Sequence, residues 1–253
     1  MPWDPEQYHK FKEARFAPFD DLFSLIKVRA GLTVVDLGCG TGELSRRLAD
    51  RLPGSTVLGL DSSATMLEKA AQQRSPNLDF ALGSLESATG QWDLVFSHAA
   101  IHWVEDHHLL IPRLFALVRP GGQLAAQLPS NHNHPAHLAI IETAREEPFQ
   151  TALHGWYRPS PVLEIDAYAE LLHRSGGQEI TVFEKVYPAL MPDVAAVAEW
   201  TSGTTLVPYF ERLPNELHEP FLDRYKEKLR RLWPVEPVYY TFRRILFTAC
   251  KSA

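Results

Sequence analysis

Residues 34–48 read VVDLGCGTGELSRRL and combine one acid with three alternating glycines. Asp36 ends an apolar run, and a helical pattern begins after the last glycine. Gly38 predicts a sharp turn at the end of a buried strand, Gly40 lets a ligand approach the backbone without a Cβ in the way, and Gly42 lets the next helix pack close to the strand. Free N–H groups at the helix N-terminus would face the same ligand. The pattern predicts a nucleotide-like ligand at this strand end.

A second acid, Asp61, lies nineteen residues after Gly42, at the end of the next apolar run. A carboxylate at that place can accept two hydrogen bonds from a ribose diol. The glycine spacing is G-x-G-x-G, whereas dinucleotide sites use G-x-G-x-x-G. Asp36 would repel a pyrophosphate and attract a cationic amino group. These residues favour S-adenosylmethionine, which carries an ammonium, a sulfonium and a ribose, over a dinucleotide.

Short apolar strands alternate with helices between residues 30 and 130, and this alternation predicts the elements that position the two acids. The predicted strands lie at 33–37, 56–60, 78–82, 92–97 and 123–128. Helical patterns cover 43–51, begin again at Ser63 and return at 108–118. Such alternation indicates βαβ units with a parallel sheet and right-handed crossovers. We therefore expect an open, doubly wound α/β core.

The segments on either side of this core are more helical. Residues 6–28 predict a helix that Pro18 breaks or kinks. After Leu128, helices are predicted at 136–147, 165–174, 194–201 and 216–232, and strands at 178–187 and 239–250. A helical stretch between two strands indicates an insertion, from about Pro188 to Pro237, that caps one face of the sheet.

Composition excludes several classes of protein. The chain has 253 residues, 45% of them hydrophobic and 22% charged, and its formal net charge is -6. An acidic chain without a basic domain is not expected to bind nucleic acid, and no run approaches the roughly 20 apolar residues of a membrane span. The N-terminus is polar, unlike a signal peptide. Two cysteines, Cys39 and Cys250, are expected to be reduced thiols of a cytoplasmic protein.

Several stretches carry a resemblance to a known family. VVDLGCGTG and GLDSSATMLEKA are similar to class I S-adenosylmethionine-dependent methyltransferases in general. WDPEQYHKFKEAR, FSHAAIHWVEDH, LVRPGGQLAAQLPSN, MPDVAAVAEW and FRRILFTA extend the similarity over nearly the whole chain. With them the chain resembles, more narrowly, the trans-aconitate methyltransferase family. The N-terminal stretch and the MP…W stretch are the more specific to that family.

The resemblance implies a seven-stranded, mostly parallel sheet of the class I Rossmann-like type. It also implies an N-terminal lid helix and a helical cap insertion. The expected segments are a lid (1–29), the cofactor-binding core (30–130), a continuation of the core with substrate-side helices (131–187), the cap (188–237) and the final strand (238–253). A chain that starts near Ala30 should then still fold.

The resemblance also assigns the cofactor, with S-adenosylhomocysteine as its product. Asp36 and the first two glycines would hold the methionine end, and Asp61 the ribose. Tyr8 and Arg15 would lie on the lid, and Arg15 could pair with the methionine carboxylate. Ser97 and the segment to Trp103 would line the methyl side. The predicted cofactor-binding residues are Asp36, Gly38, Gly40, Asp61, Ser62, Met66, Ser84, Leu85, Ser97, Tyr8 and Arg15.

The methyl acceptor is expected to be a carboxylate of a small organic acid. A carboxylate with a pKa near 4 is ionised at pH 7 and needs no general base. Catalysis then depends on proximity, alignment and exclusion of water. The candidate substrate-binding residues are Trp103, His132, Arg158 and Arg244. At two positions the chain departs from the family pattern, with Ser84 in place of an Asp that would accept from the adenine amine and Val207 in place of an Arg suited to a tricarboxylate.

Three alternatives stay open from the residues alone. A hydroxyl, amine or carbon acceptor would need a general base, for which His98 and His102 are candidates. Packing of His102 on Trp103 would explain the presence of that histidine equally simply. A second alternative is a cofactor-binding module without turnover, and a third is a dinucleotide oxidoreductase, which Asp36 disfavours.

His132, His134 and His137 lie in a loop pattern without nearby cysteines or paired carboxylates, so no metal is predicted. The expected partner is a small molecule, bound by a monomer.

Overall fold

The structure, a computed structural model, describes residues 13–253 of the chain, with side chains from Phe16 onward. These residues form two compact units. The sheet unit comprises Glu13–Pro129, Pro161–Lys185 and Arg243–Ala253, and the helical unit comprises Ser130–Ser160 and Val186–Phe242. Within the residues described, no helix has both the length and the apolar character needed to cross a membrane.

The described residues form seven strands, which lie in one sheet in the order β3-β2-β1-β4-β5-β7-β6. The strands are β1 (Thr33–Leu37), β2 (Thr56–Asp61), β3 (Leu78–Leu82), β4 (Trp92–His98), β5 (Val118–Pro129), β6 (Gly177–Met191) and β7 (Val238–Lys251). The α-helices of the same residues are α1 (Glu13–Ser24), α2 (Glu43–Arg51), α3 (Ala64–Ala70), α4 (His107–Ala116), α5 (Pro135–Ala144), α6 (Phe149–Ala152), α7 (Ile165–Arg174), α8 (Val194–Ser202), α9 (Val207–Phe210) and α10 (His218–Leu232).

Strand pairing places the ends of β1 and β4 side by side at the centre of the sheet. The pairs β2–β3, β1–β2, β1–β4 and β4–β5 are parallel, and β5–β7 is antiparallel. The strand order reverses between β1 and β4, because β2 and β3 extend to one side and β5 to the other. Ligands of open α/β sheets bind outside the carboxyl ends of the strands at such a switch point. The predicted doubly wound fold is confirmed.

Two apolar layers cover the sheet within this unit. β1 is a short apolar run, and Val34, Val35 and Leu37 are fully buried because helices lie on both faces. One buried cluster joins Leu124 of β5 to residues of α4 and α7. The other joins Ala125 to residues of α1 and α2. Successive side chains of a strand point to opposite faces, which explains this alternation.

Helix α1 belongs to the core of the sheet unit. Phe19 and Leu22 of this helix are fully buried in the same cluster as Val34. Pro18 lies inside the helix rather than breaking it. For residues 13–29, the described part of the predicted lid (1–29), the expectation of a lid on a core that folds from about Ala30 needs correction, because removing α1 would expose apolar surface. The remainder of the predicted lid, including Tyr8, lies outside the described residues.

The helical unit has its own apolar core, and its bounds differ from the predicted segments. Residues 131–187 were expected to continue the core, but Ser130–Ser160 group with Val186–Phe242. The reason is packing, since Ile140 of α5 and Phe149 of α6 share one buried cluster with Phe221 and Tyr225 of α10. Only Pro161–Lys185 continues the sheet unit, and the first residues of β7 belong to the helical unit.

Candidate functional site

The turn between β1 and α2 exposes backbone at the carboxyl end of the sheet. Gly38 has φ +78°, and a Cβ added there would lie 2.1 Å from the Cβ of Ala100. Gly40 has φ +56°, and an added Cβ would meet nothing within 4 Å. This open backbone fits a ligand that approaches closely. Gly42 differs from the prediction, because its added Cβ would meet Phe80 of β3 at 2.6 Å; its close neighbour is β3 rather than β1.

Asp36 is a buried acid at the end of β1. Its side chain is 2% exposed, and its Oδ2 accepts a hydrogen bond from the hydroxyl of Ser45 in α2 at 2.5 Å. Burial raises the pKa of Asp36 to about 7, the bond from Ser45 opposes that rise, and the charge of Asp61 adds to it. A buried carboxylate with one neutral donor is well suited to bind a ligand's ammonium group.

Asp61 connects the end of β2 to the glycine turn. Its Oδ2 accepts from the backbone N–H of Gly40, and its Oδ1 accepts from the backbone N–H of Ser63, each at 2.8 Å. Each carboxylate oxygen can accept a further bond, so a ribose diol can still be bound. The carbonyl of Leu60 accepts from the N–H groups of Gly38 and Cys39. The carboxyl ends of β1 and β2 therefore form one cradle, which fits S-adenosylmethionine.

Four more of the predicted cofactor-binding residues, Ser62, Met66, Ser84 and Leu85, follow the ends of β2 and β3. Ser62 is exposed and follows Asp61 directly, whereas Met66 is buried in α3. Leu85 lies close to the turn, because its Cδ1 would be 3.8 Å from a Cβ added at Gly38. The hydroxyl of Ser84 contacts the hydroxyl of Ser87 at 3.0 Å. Ser84 is thus part of a local turn as well as a candidate for the adenine amine.

Ser97 ties β4 to β1. Its side chain is fully buried, and its hydroxyl donates to the carbonyl of Leu37 at 2.8 Å. The bond holds together the two strand ends that flank the switch point. A hydroxyl oxygen that donates can still accept, so the predicted contact with the cofactor is compatible with this position. Arg15 lies in α1, but its side chain is outside the described set.

The two candidate bases have aromatic surroundings. The ring centroid of His98 lies 6.1 Å from that of Phe19, and the two rings meet edge to face. His102 lies in a short 3-10 helix, with its ring centroid 4.9 Å from that of Trp103. The packing explanation for His102 therefore matches the structure. Contact with Trp103 orients the His102 ring, so a role as general base is not needed to explain its position.

The remaining candidates for acceptor binding fall in different units. In the sheet unit, Arg244 is buried in β7, in register with Pro129 of β5. In the helical unit, His132 is partly buried and Arg158 donates its backbone N–H to the hydroxyl of Tyr209 at 3.2 Å. Burial lowers the pKa of the Arg158 guanidinium. Both arginines are thus shielded from water, which strengthens their attraction for an acid.

Two further polar residues of this region were not predicted. Ser45 stabilises the Asp36 carboxylate, and its position three residues into the helix after Gly42 was a usable signal. Gln127 is the other, and it is fully buried at the end of β5. An amide within the apolar run LAAQL could have been noticed, but its burial depends on the neighbouring strands and cannot be derived from the run alone.

The histidine-rich stretch packs and bonds within the helical unit. His134 lies 4.4 Å from Tyr240, measured between ring centroids, and His137 Nε2 contacts the hydroxyl of Thr205 at 3.0 Å. Among residues 13–253, no group of three His, Cys, Asp or Glu side chains is arranged to hold a metal ion.

Known proteins match this chain over most of its length. A family model described as a methyltransferase domain matches residues 34–122. A trans-aconitate 2-methyltransferase of Deinococcus radiodurans is 49% identical over 99% of this chain and 99% of that protein. One from Variovorax paradoxus is 35% identical over 93% and 92% of the two chains. The crystal structure of the YcgJ protein from Bacillus subtilis is 13% identical, with a TM-score of 0.63 over 94% of this chain and 99% of that one.

The structural likeness supports the fold, and the sequence similarity establishes the family. The matched methyltransferase domain contains both acids and the glycine turn. The predictions of the methyltransferase class and of S-adenosylmethionine as cofactor are confirmed. The chain belongs to the trans-aconitate 2-methyltransferase family and is a class I S-adenosylmethionine-dependent methyltransferase.

Proposed function

We propose that this enzyme transfers a methyl group to a carboxylate oxygen of a small organic acid resembling trans-aconitate. The observation that carries the proposal is the 49% identity, along the full length of both chains, to the trans-aconitate 2-methyltransferase of Deinococcus radiodurans. Similarity of that extent includes the segments outside the shared methyltransferase domain at residues 34–122.

The cradle residues would hold the methyl donor in a fixed orientation. Asp36 would bind the ammonium group, Gly40 would let the methionine end lie against its backbone, and Asp61 would bind the ribose diol. When bound, S-adenosylmethionine supplies an electrophilic methyl group on a sulfonium leaving group. The burial of Asp36 keeps water from this end of the site, which strengthens its interaction with a cation.

The acceptor needs orientation more than activation. Its carboxylate is already ionised at pH 7, since its pKa is near 4. The chain therefore has to align an oxygen with the methyl group and exclude water. Within the sheet unit, Trp103 and the buried Arg244 are the candidates for this alignment. We infer that the enzyme acts as a monomer in the cytoplasm on small molecules. The acidic composition favours a small molecule over nucleic acid, and the free Cys39 and Cys250 favour a reducing compartment.

The proposal is tested with methyl-labelled S-adenosylmethionine and a panel of monocarboxylic, dicarboxylic and tricarboxylic acids that includes trans-aconitate. We expect labelled methyl esters, which mild base hydrolyses to methanol. Ethers and methylamines would survive that treatment and would indicate a hydroxyl or amine acceptor. At saturating substrates, kcat should be flat from about pH 6 to 9 and should persist in His98→Ala and His102→Ala variants. A rate that rises through a pKa near 6.5 and is lost with one histidine would contradict the proposal.

A further inference from the structure

Gln127 is a buried amide without hydrogen-bond partners. Its side chain is 0% exposed, and neither its Nε2 nor its Oε1 has a partner in the part of the chain that the structure describes. Burial has removed both atoms from water without compensation, which destabilises the folded protein. Buried polar groups are nearly always paired, so such an exception calls for a functional explanation.

Its place in the sheet is beside the strand end that we expect to line the methyl side. Gln127 lies in register with His98 of β4 and with Leu246 of β7. Its backbone carbonyl accepts from the N–H of Ala99 at 2.9 Å. Ala99 has φ 54°, a left-handed conformation that residues with a side chain rarely adopt. Such strain is often found at functional sites. Here the backbone of Gln127 is hydrogen-bonded to the strained residue.

The amide has mostly apolar neighbours on its face of the sheet, and that face also carries His98 and Arg244. Gln127 shares that face with Ala125, and the buried cluster there contains Phe19, Phe96 and Leu246. In apolar surroundings a hydrogen bond to a charged ligand is strong. An amide N–H can bind an anion without adding a second charge to the interior. These properties match a carboxylate whose reacting atoms must be kept from water.

We propose that Gln127 determines acceptor specificity by donating a hydrogen bond from its Nε2 to a carboxylate oxygen of the acceptor acid. The inference rests on the proposed function, since it names a residue that binds the acceptor acid. S-adenosylmethionine also carries a carboxylate, at its methionine end. The chemistry of recognition is the same for the two ligands, so the experiment measures both.

The test compares Gln127→Met, which keeps the volume and removes both polar ends, with Gln123→Met on the same face of β5. Gln123 is also buried, but its amide is satisfied by the carbonyl of Leu25 and the N–H of Lys27. In the ligand-free protein, Gln127→Met should raise the melting temperature, whereas Gln123→Met should lower it. Only Gln127→Met should raise KM for the acid, by about tenfold or more, the scale of one hydrogen bond to a charged group.

Calorimetric affinity for S-adenosylmethionine should be unchanged in both variants. Gln127→Glu should raise KM further, because its carboxylate would repel the acid. An unchanged KM in Gln127→Met would overturn the inference, and weakened cofactor affinity with an unchanged KM would assign the amide to the cofactor instead. If the wild type neither methylates any acid nor binds one with S-adenosylhomocysteine present, the proposed function fails, and this inference fails with it.

Discussion

Asp36 combines a buried carboxylate with one hydroxyl donor, and this combination should make cofactor affinity depend on pH. Burial raises its pKa to about 7, and the bond from Ser45 limits that rise. In the proposed binding mode the ammonium group of S-adenosylmethionine would pair with the ionised carboxylate, so affinity should increase as pH rises to about 7 and then level off. The raised pKa also affects the ligand-free protein. Its free energy of unfolding should fall as pH rises from about 4 to about 7, because the folded state keeps the Asp36 proton to higher pH than the unfolded state does.

Ser45→Ala should move this dependence to higher pH. Losing a hydrogen bond to a charged group costs about 1.5–3 kcal/mol, which corresponds to a further rise of about one to two units in the pKa of Asp36. Calorimetric titration with S-adenosylmethionine from pH 6 to 9 measures the midpoint. Ser55→Ala is the control, because Ser55 is equally buried but bonds to the N–H of Leu32. A midpoint that stays near 7 in Ser45→Ala would contradict this account.

Gly40 and Gly31 allow the effect of ligand approach to be separated from backbone strain. Both have positive φ, +56° and +76°, and a Cβ added at either would meet nothing within 4 Å. Alanine at either position should destabilise the fold by a similar 1–3 kcal/mol or so. Only Gly40→Ala should abolish binding of S-adenosylmethionine, since its Cβ would occupy the approach to the backbone. Melting curves and calorimetry check both effects, and equal affinities in the two variants would count against a site at this turn.

At the level of elements, α1 should stabilise the sheet unit rather than act as a removable lid. Phe19 is fully buried in the core cluster that also contains Phe96. Phe19→Ala should lower the free energy of unfolding by about 3–5 kcal/mol. Val28→Ala, at a residue 47% exposed, should change it by at most about 0.5 kcal/mol. Chemical denaturation measures both, and a Phe19→Ala variant as stable as wild type would restore the lid interpretation.

An ion cluster links the end of α5 to α10 in the helical unit. Glu146 contacts Arg224 and Lys228, with nitrogen to oxygen distances of 2.5 and 2.8 Å, and these bonds lower its pKa to about 2. Its stabilising contribution is therefore present above about pH 4.3, the pKa of an unperturbed Glu, and is lost as pH falls toward 2. Glu146→Gln should lower the free energy of unfolding at pH 7 by about 1 kcal/mol or less, because the ion pair is partly exposed, and chemical denaturation measures this change. The difference should shrink at pH 3, and Glu142→Gln, at an exposed end of the same cluster, should change little at either pH.

The first four strands were predictable because they are short, largely apolar runs that lie close to glycine, proline or an acid, whereas β5 begins at Val118, five residues before its predicted start. β1 and β3 have the bounds that the sequence indicates, and β2 and β4 are each one residue longer. The helix after Gly42 was equally clear, since it ends just before Pro53. Pro18 could not be judged in the same way. The buried contacts of Phe19 and Leu22 keep that helix intact, and such contacts are invisible in a local pattern.

At the scale of the whole molecule, the assembly of the helical unit was the part that sequence could not supply. Its residues come from two chain segments, 130–160 and 186–242, separated by a return to the sheet unit. An amphipathic helix such as α5 could bury its apolar face on a sheet or on another helix with the same sequence. The cradle shows the same limit, since Asp61 was predicted from its spacing, whereas its bond to the Gly40 N–H depends on folded geometry.

Hydrogen exchange should show that the cofactor site is built by the sheet unit. The described residues predicted to bind S-adenosylmethionine, from Asp36 to Ser97, lie in that unit. Saturation with S-adenosylhomocysteine at about 100 times its Kd adds about 2.7 kcal/mol to the stability of the bound state. Peptides that cover the ends of β1, β2 and β4 should therefore gain the most protection, and those from α8 and α10 much less. Asp61→Ala protein treated in the same way is the control and should show little change. Protection that is greatest in α8 and α10 would show that the principal cofactor contacts are not those of the cradle.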